Sequence, residues 1–549
     1  MKNCKQCTSP FEITDFDHQF YTTMHVPEPT FCPDCRQQRR LTFRNERSLY
    51  KRKCDATGKS IISMYPSDAS FPVYSQEYWW GDSWDPKDYG RDYDFDRPFF
   101  EQFSDLMQVV PRFNVSITNS ENCEYNNFCV ASRNCYMSQR LGDAEEAYYS
   151  YLVIESKNVM DSYYLTRCEL CYEVIDGENC YDIHFSQNVI SCSASRFLFN
   201  CNSCKYCFFC TDLRNKEYCF FNEQLTKEQY EEKIKKYESI SHTQSLDLMK
   251  RFLKLCSTQV VPHYWGNKTE NVSGNYLVEC KDTFDSYDCL HGEGVKHAYG
   301  HIYGENVMDV SFTFHIDQTY EFAAGSRCRD LRFCFNLYDS HNMTYCIDCV
   351  NNCHDSFGCI GLNHAEYCIL NKQYTKEEYE ELMPKIIEHM KKTDEWGEFF
   401  PTSISPFGYN EIAAFEYYPL TKKESLTKGW KWKESDDVIS DVTKTIPASK
   451  LPDSIEDIPD DILNWGIICE VSDRPFKIVP QELKFYRTNK LPIPHLHPDE
   501  RYKMRLSLRN PRKLCDRTCN KCSTDIKTSY HPDRPEKVYC EKCYLKEVY

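Results

Sequence analysis

Two stretches of the chain, residues 119–222 and 271–371, set cysteine and apolar residues on a beat of six with polar residues between them. Cysteines fall at 123, 129 and 135, then at 168, 180, 192, 204 and 210, and again at 328, 334 and 346. Val174, Ser186 and Leu198 continue the beat with small or apolar side chains. An even repeat keeps side chains on one face of a strand, and parallel strands stack them into internal ladders. Asn122, Asn134, Asn158 and Asn179 recur near multiples of 11 or 12, inside motifs such as Ser120-Glu-Asn-Cys-Glu-Tyr125, Ser156-Lys-Asn-Val-Met-Asp161 and Gly304-Glu-Asn-Val-Met-Asp309. Stretches rich in Asn, Cys, Tyr, Phe and Ser are poor helix formers. The pattern predicts a mainly β chain built on parallel β-helix (solenoid) arrays of about 22 residues per turn, a left-handed hexapeptide coil being the alternative. Their cysteines are core residues.

Each array runs into a predicted helix. Leu213-Arg-Asn-Lys-Glu-Tyr-Cys-Phe-Phe-Asn222 followed by Thr226 recurs 149 residues later as Leu362-Asn-His-Ala-Glu-Tyr-Cys-Ile-Leu-Asn371 followed by Thr375. Both threonines precede an acidic first turn and read as N-caps of helices that cover strand edges.

The two ends of the chain are copies of one module. Residues 4–78 align with 469–543 without a gap, at 25 identities in 75 pairs. Each copy has two four-ligand positions. Cys4-x2-Cys7 with Cys32-x2-Cys35 is complete, while its counterpart reads Cys469, Ser472, His497, Glu500, a set able at most to form a weaker site. Cys519-x2-Cys522 with Cys540-x2-Cys543 is complete, while its counterpart reads Cys54, Thr57, Ser75, Tyr78. Two thiolate pairs at this spacing fit a tetrahedral zinc-ribbon site, and four cysteines leave no open position for substrate. Two structural zinc ions are expected, one at each end.

The resulting plan has a zinc-ribbon module at 1–79, an aromatic and acidic connector at 80–118, array I at 119–222 and a helical cap at 223–262. Array II at 263–372, a helical cap at 373–396, a connector at 397–465 and a second zinc-ribbon module at 466–549 complete it.

Net charge is −17, but the ends carry +2 and +7, leaving −26 on the middle. Arg36, Arg39, Arg40 and Arg44 in one module, and Arg501, Arg505 and Arg509 in the other, lie between the two ligand positions. Such segments beside zinc knuckles can contact the phosphates of RNA, or pair with the acidic middle of the chain. Cys201-x2-Cys204-x2-Cys207-x2-Cys210 resembles the opening of an iron–sulfur motif, but the duplicated copy has Val350 and Ser356 at two of these positions, which argues against a cluster.

No glycine-rich phosphate loop, nucleophile elbow or HExxH motif is present. The histidines at 291, 297, 301 and 315 and the crowded aspartates after Tyr78 form no catalytic constellation, so a non-enzyme is expected. A carbohydrate-active enzyme using carboxylates on a β-helix surface is the competing view. No apolar run approaches the roughly 20 residues of a membrane span. The N-terminus enters Cys4-x2-Cys7 without an apolar signal segment, so the expected location is cytoplasmic, with reduced cysteines.

Cys32-Pro-Asp-Cys-Arg36, Trp79-Trp-Gly-Asp-Ser-Trp-Asp-Pro86, Arg97-Pro-Phe-Phe-Glu-Gln-Phe103, Gly397-Glu-Phe-Phe-Pro401, Ser405-Pro-Phe-Gly-Tyr-Asn410 and Val538-Tyr-Cys-Glu-Lys-Cys-Tyr544 together span nearly the whole chain. In this combination the chain resembles the uncharacterised cysteine-rich zinc-ribbon and repeat proteins of candidate-phyla-radiation bacteria. The resemblance implies a bacterial cytoplasmic setting and no particular activity. The expected function is a zinc-binding solenoid scaffold or interaction protein, engaging a protein partner or its own copies, with RNA as the competing partner and no membrane.

Overall fold

Every third residue of the first array takes the left-handed backbone conformation. Asn122, Tyr125, Phe128, Ala131 and Asn134 have φ of 52°, 54°, 54°, 48° and 54°, and the series continues to Phe221. The computed structural model in which this is seen describes residues 1–302, 305–314, 316–325, 327–434 and 442–548. His315 and the start of the Gly304 motif lie outside the described residues. A left-handed φ costs an L-residue about 1–2 kcal/mol, and least for Asn and Asp. The recurring asparagines of the sequence all fall at these corners.

Corners three residues apart set the repeat. Ile117 opposes Cys129, Asn127 opposes Gln139, Tyr151 opposes Tyr163, Glu169 opposes Tyr181 and Tyr181 opposes Ser193, all in parallel. Tyr287 opposes Tyr299 and Arg329 opposes His341 in the second array. The expected 22-residue turn is corrected: each segment pairs with the one twelve residues on. One residue between successive corners points inward, so four inward ladders run along the array. One holds Cys123, Cys135, Ala147, Val159, Cys171, Ile183, Ser195, Cys207 and Cys219; another holds Cys129, Leu141, Val153, Leu165, Gly177, Val189 and Cys201. With four side chains meeting in each twelve-residue layer, small ones are favoured. A Cβ on Gly177 would stand 2.8 Å from the Leu165 side chain.

Inward serines and cysteines also satisfy the backbone. The Ser162 hydroxyl donates to the Met160 carbonyl at 3.0 Å and accepts from the Val174 N–H at 3.2 Å. Ser138, Ser150 and Ser186 accept in the same way from the residue twelve positions on. The Cys192 thiol lies 3.3 Å from the Ile190 carbonyl, a weaker version of the donor half of this pattern. The second array slips by one residue where Asn351 and Asn352 are both left-handed, so that His341 opposes His354. This extra residue is why the Asp161 and Asp309 motifs lie 148 apart while Leu213 and Leu362 lie 149 apart.

Each array ends in a tight hairpin. Cys219 pairs with Gln224 and Cys368 with Gln373, antiparallel, around the left-handed pairs Phe221–Asn222 and Leu370–Asn371. Two consecutive left-handed residues give the turn twist that hairpins favour. Thr226 and Thr375 then cap the helices Lys227–Ile234 and Lys376–Lys392, each through a complete capping box, as the sequence predicts. The hairpin closes the edge, and the helices lie along the flank. Phe252 of the helix His242–Cys256 packs on the stacked outward ladder of Phe197 and Phe209, while Ile386 and Met390 join the corresponding cluster of the second array. With the modules and connectors included, the chain is mixed, 31% strand and 25% helix, rather than mainly β.

Candidate metal centres and the docking of the modules

All four ligand positions begin with the same backbone turn, whether or not their ligands survive. Cys4 N–H donates to the Ser9 carbonyl and Thr8 N–H to the Cys4 carbonyl, with Thr8 left-handed. The same pair of bonds, again with a left-handed residue fourth after the cysteine, recurs at Cys54 with Gly58, at Cys469 with Asp473 and at Cys519 with Ser523. The turn aims two side chains three residues apart to one side, as a metal knuckle needs.

Two of these positions bring four thiols together. The sulfur atoms of Cys4, Cys7, Cys32 and Cys35 lie within 4.8 Å of one another, as do those of Cys519, Cys522, Cys540 and Cys543. Both sets suit a metal ion, as expected. Cys32 N-caps the helix Pro33–Leu41, and its hydrogen bond with Cys35 lowers the Cys32 thiol against the opposing effect of burial while raising that of Cys35. At the eroded position Cys54 remains buried and accepts from the Ser75 N–H at 3.1 Å, as Cys519 does from Cys540 at 3.2 Å. None of the 33 cysteines forms a disulfide, and those of the Cys201–Cys210 run line the inside of the first array.

The arginines, read from the sequence as facing either phosphate or the acidic middle of the chain, are turned inward onto the latter. Arg36, Arg39 and Arg40 project from the helix that begins at Cys32, and they dock on the second array. Arg36 Nε donates to Asp309 Oδ2 at 2.7 Å and Arg39 donates to Glu321 Oε1 at 2.7 Å; the buried Arg40 lies 3.5 Å from Asp309 and 4.0 Å from Glu321. The C-terminal copy repeats the arrangement on the first array. Arg501, at the position of Arg36, pairs with Asp161 and Glu482, and Arg505, at the position of Arg40, lies 2.9 Å from Asp161 and 3.3 Å from Glu173. Asp161 and Asp309 are equivalent residues of the two arrays, as are Glu173 and Glu321. Docking is therefore crossed: each module sits on the array farther from it in sequence.

Each module also reaches the other array. Arg509 donates to Asp176 of the first array at 3.0 Å and to Asp288 of the second at 2.7 Å, and Arg512 donates to Asp288 at 2.7 Å. In the N-terminal module Arg44 pairs with Glu46 and lies over the Phe128 ring at 3.7 Å, and Glu46 accepts from Tyr151 of the first array. The modules touch each other through Arg47, which is 2.7 Å from Asp499. The six acidic partners on the arrays, Asp161, Glu173, Asp176, Asp288, Asp309 and Glu321, all occupy left-handed corners. Sequence reading missed them, although Asp161 and Asp309 close the recurring Asn-Val-Met-Asp motif.

The electrostatics differ from pair to pair. Burial raises the Asp309 carboxyl, but Arg36 and Arg40 outweigh it and hold the group below its usual range. At Glu173 burial exceeds the pull of Arg505 and lifts the group to about 7; Asp176 rises to about 6 for the same reason, against Arg509.

Where modules and arrays meet, a cleft of about 1350 Å³ opens, lined among others by Tyr163, Tyr276, Asp288, Glu416, Tyr417 and Arg512. Burial raises Glu416 to about 7 against the nearby Arg47, and its Oε2 accepts from the Tyr502 hydroxyl at 2.9 Å. Among the described residues no helix is long and apolar enough to cross a membrane.

Fold and site together define a cysteine-rich protein of two repeat arrays, held by two duplicated ends that each carry a four-cysteine metal-competent group. No family model, curated protein or solved structure matches the chain.

Proposed function

We propose that this is a zinc-stabilised scaffold or interaction protein, whose two arrays are solenoid coils clamped side by side by the terminal modules. The observation that carries the reading is the crossed docking, in which the module arginines are buried against corner carboxylates and Arg509 ties Asp176 to Asp288. Arginines committed in this way are withdrawn from an RNA backbone, which favours the scaffold over a nucleic-acid reading. A set of four cysteines fits zinc in a closed, structural site. Metal and docking are linked through one helix, because Cys35 and Arg36 are neighbours in it. The cleft between modules and arrays is the seat inferred for a ligand or partner segment, its tyrosines supplying contact area and its mixed charges orientation.

Small-angle scattering before and after complete metal removal tests the proposal. Release of the modules should expand the particle and expose the helix Pro33–Leu41 to protease. Unchanged shape and protection without metal would refute a metal-held clamp.

A further inference from the structure

The eroded ligand position of the C-terminal module carries a second set of metal donors, displaced from the first. In the N-terminal copy Lys5 N–H donates to the Thr30 carbonyl at 3.1 Å, joining the two ligand-bearing loops. In the C-terminal copy the same bond links Glu470 to His495, at 3.3 Å. Lys and Thr in one copy are thus Glu and His in the other, in the copy where Ser472, His497 and Glu500 have replaced three cysteines.

A third donor comes from elsewhere in the chain. His242 opens the helix His242–Cys256 that follows the first array, and its backbone N–H is held by the Asp453 carbonyl at 2.9 Å. Donor atoms of His242, Glu470 and His495 lie within 4.8 Å of one another. The two imidazoles are stacked, with ring centroids 3.4 Å apart and planes 8° from parallel. His495 is only 7% exposed; its Nδ1 is 2.7 Å from Glu470 Oε1, and its Nε2 is buried with no hydrogen-bond partner. Glu470 Oε1 and His495 Nδ1, 2.7 Å apart, are the donor pair that an ion would share, so His495 would bind through Nδ1.

We infer that His242, Glu470 and His495 form a third metal site, for a divalent ion of the zinc class. Two imidazoles and a carboxylate suit such an ion and leave one coordination position for water. The site does for the C-terminal module what Cys4, Cys7, Cys32 and Cys35 do for the N-terminal one. It fixes the loop leading into the docking helix Pro498–Ser507, and it ties that loop to the helix flanking the first array.

Cobalt(II) titration of the full-length, metal-stripped protein, with metal content measured after desalting, tests this. Three equivalents should bind, two with thiolate-to-cobalt charge-transfer bands from the four-cysteine groups and one without. His242→Ala, Glu470→Gln and His495→Ala should each weaken the band-free equivalent by about a hundredfold or more while leaving the two thiolate sites filled. The thiolate bands report on folding in each variant. If His495→Ala loses them, the decision rests on His242→Ala, whose position is half-exposed. A wild-type stoichiometry of two, a third equivalent that carries thiolate bands, or a third equivalent that survives His242→Ala with unchanged affinity would overturn the assignment.

Discussion

Asp309→Asn isolates the electrostatic part of module docking. The substitution keeps the side-chain volume and removes one negative charge from a site where Arg36, Arg40 and Asp309 are all buried. Glu321 then faces Arg39 and Arg40, and Arg36 loses its charged hydrogen-bond partner. Breaking a buried pair by removing one partner costs about 3–5 kcal/mol. The Cys4, Cys7, Cys32 and Cys35 group belongs to the module itself, so metal binding should persist. The expected outcome is local opening: hydrogen exchange in the helix Pro33–Leu41 should accelerate by about two to four orders of magnitude, with metal content unchanged. Asp161→Asn should do the same to the helix Pro498–Ser507. An acceleration below about tenfold in both variants would show that the ion pairs do not hold the modules, because it caps their contribution near 1.4 kcal/mol.

Other perturbations separate the remaining elements. Glu416 has a folded-state value of about 7, above its unfolded one, so its stabilising contribution is full in acid and is lost as pH rises through 7. Glu416→Gln should therefore leave stability unchanged near pH 4 and raise it by about 2–3 kcal/mol at pH 8, in urea unfolding followed at both pH values; equal effects at both would contradict the burial assigned to it. Cys35→Ser or Cys522→Ser should each cost one metal ion by elemental analysis, whereas Cys54→Ser, at an eroded knuckle, should cost none. Ser162→Ala leaves the Val174 N–H without its acceptor inside the array and should destabilise by about 1–3 kcal/mol in the same unfolding assay, against near neutrality if water replaces the hydroxyl.

The two four-cysteine groups were the most legible part of the chain, because a knuckle needs a fixed spacing of ligands and little else. Comparing the two copies also identified the eroded knuckles at Cys54 and Cys469, whose turns survive. The arrays were legible in part. Cysteines on a beat of six pointed to parallel stacking, but the beat mixes members of different ladders, so the turn was set at 22 residues although the asparagines recur near 11 or 12. Serine, alanine, valine and glycine share those ladders with cysteine, since size and a short donor are what the interior selects. Left-handed corners were harder to read, for Phe128, Leu152 and Tyr164 adopt them as well as asparagine does. The fate of the arginines depended on partners about 270 to 340 residues away, at corners that local pattern does not mark as acidic docking points. The same holds for His242, Glu470 and His495, which no spacing rule connects.

Crossed docking is tested most directly by double-mutant cycles between arginine and aspartate. Arg36 with Asp309, and Arg501 with Asp161, should each show a coupling of about 1.5–3 kcal/mol in module opening, while the exchanged combinations Arg36 with Asp161 and Arg501 with Asp309 should be additive within about 0.5 kcal/mol. Coupling in the exchanged combinations, with additivity in the first two, would place each module on its neighbouring array and contradict the arrangement described.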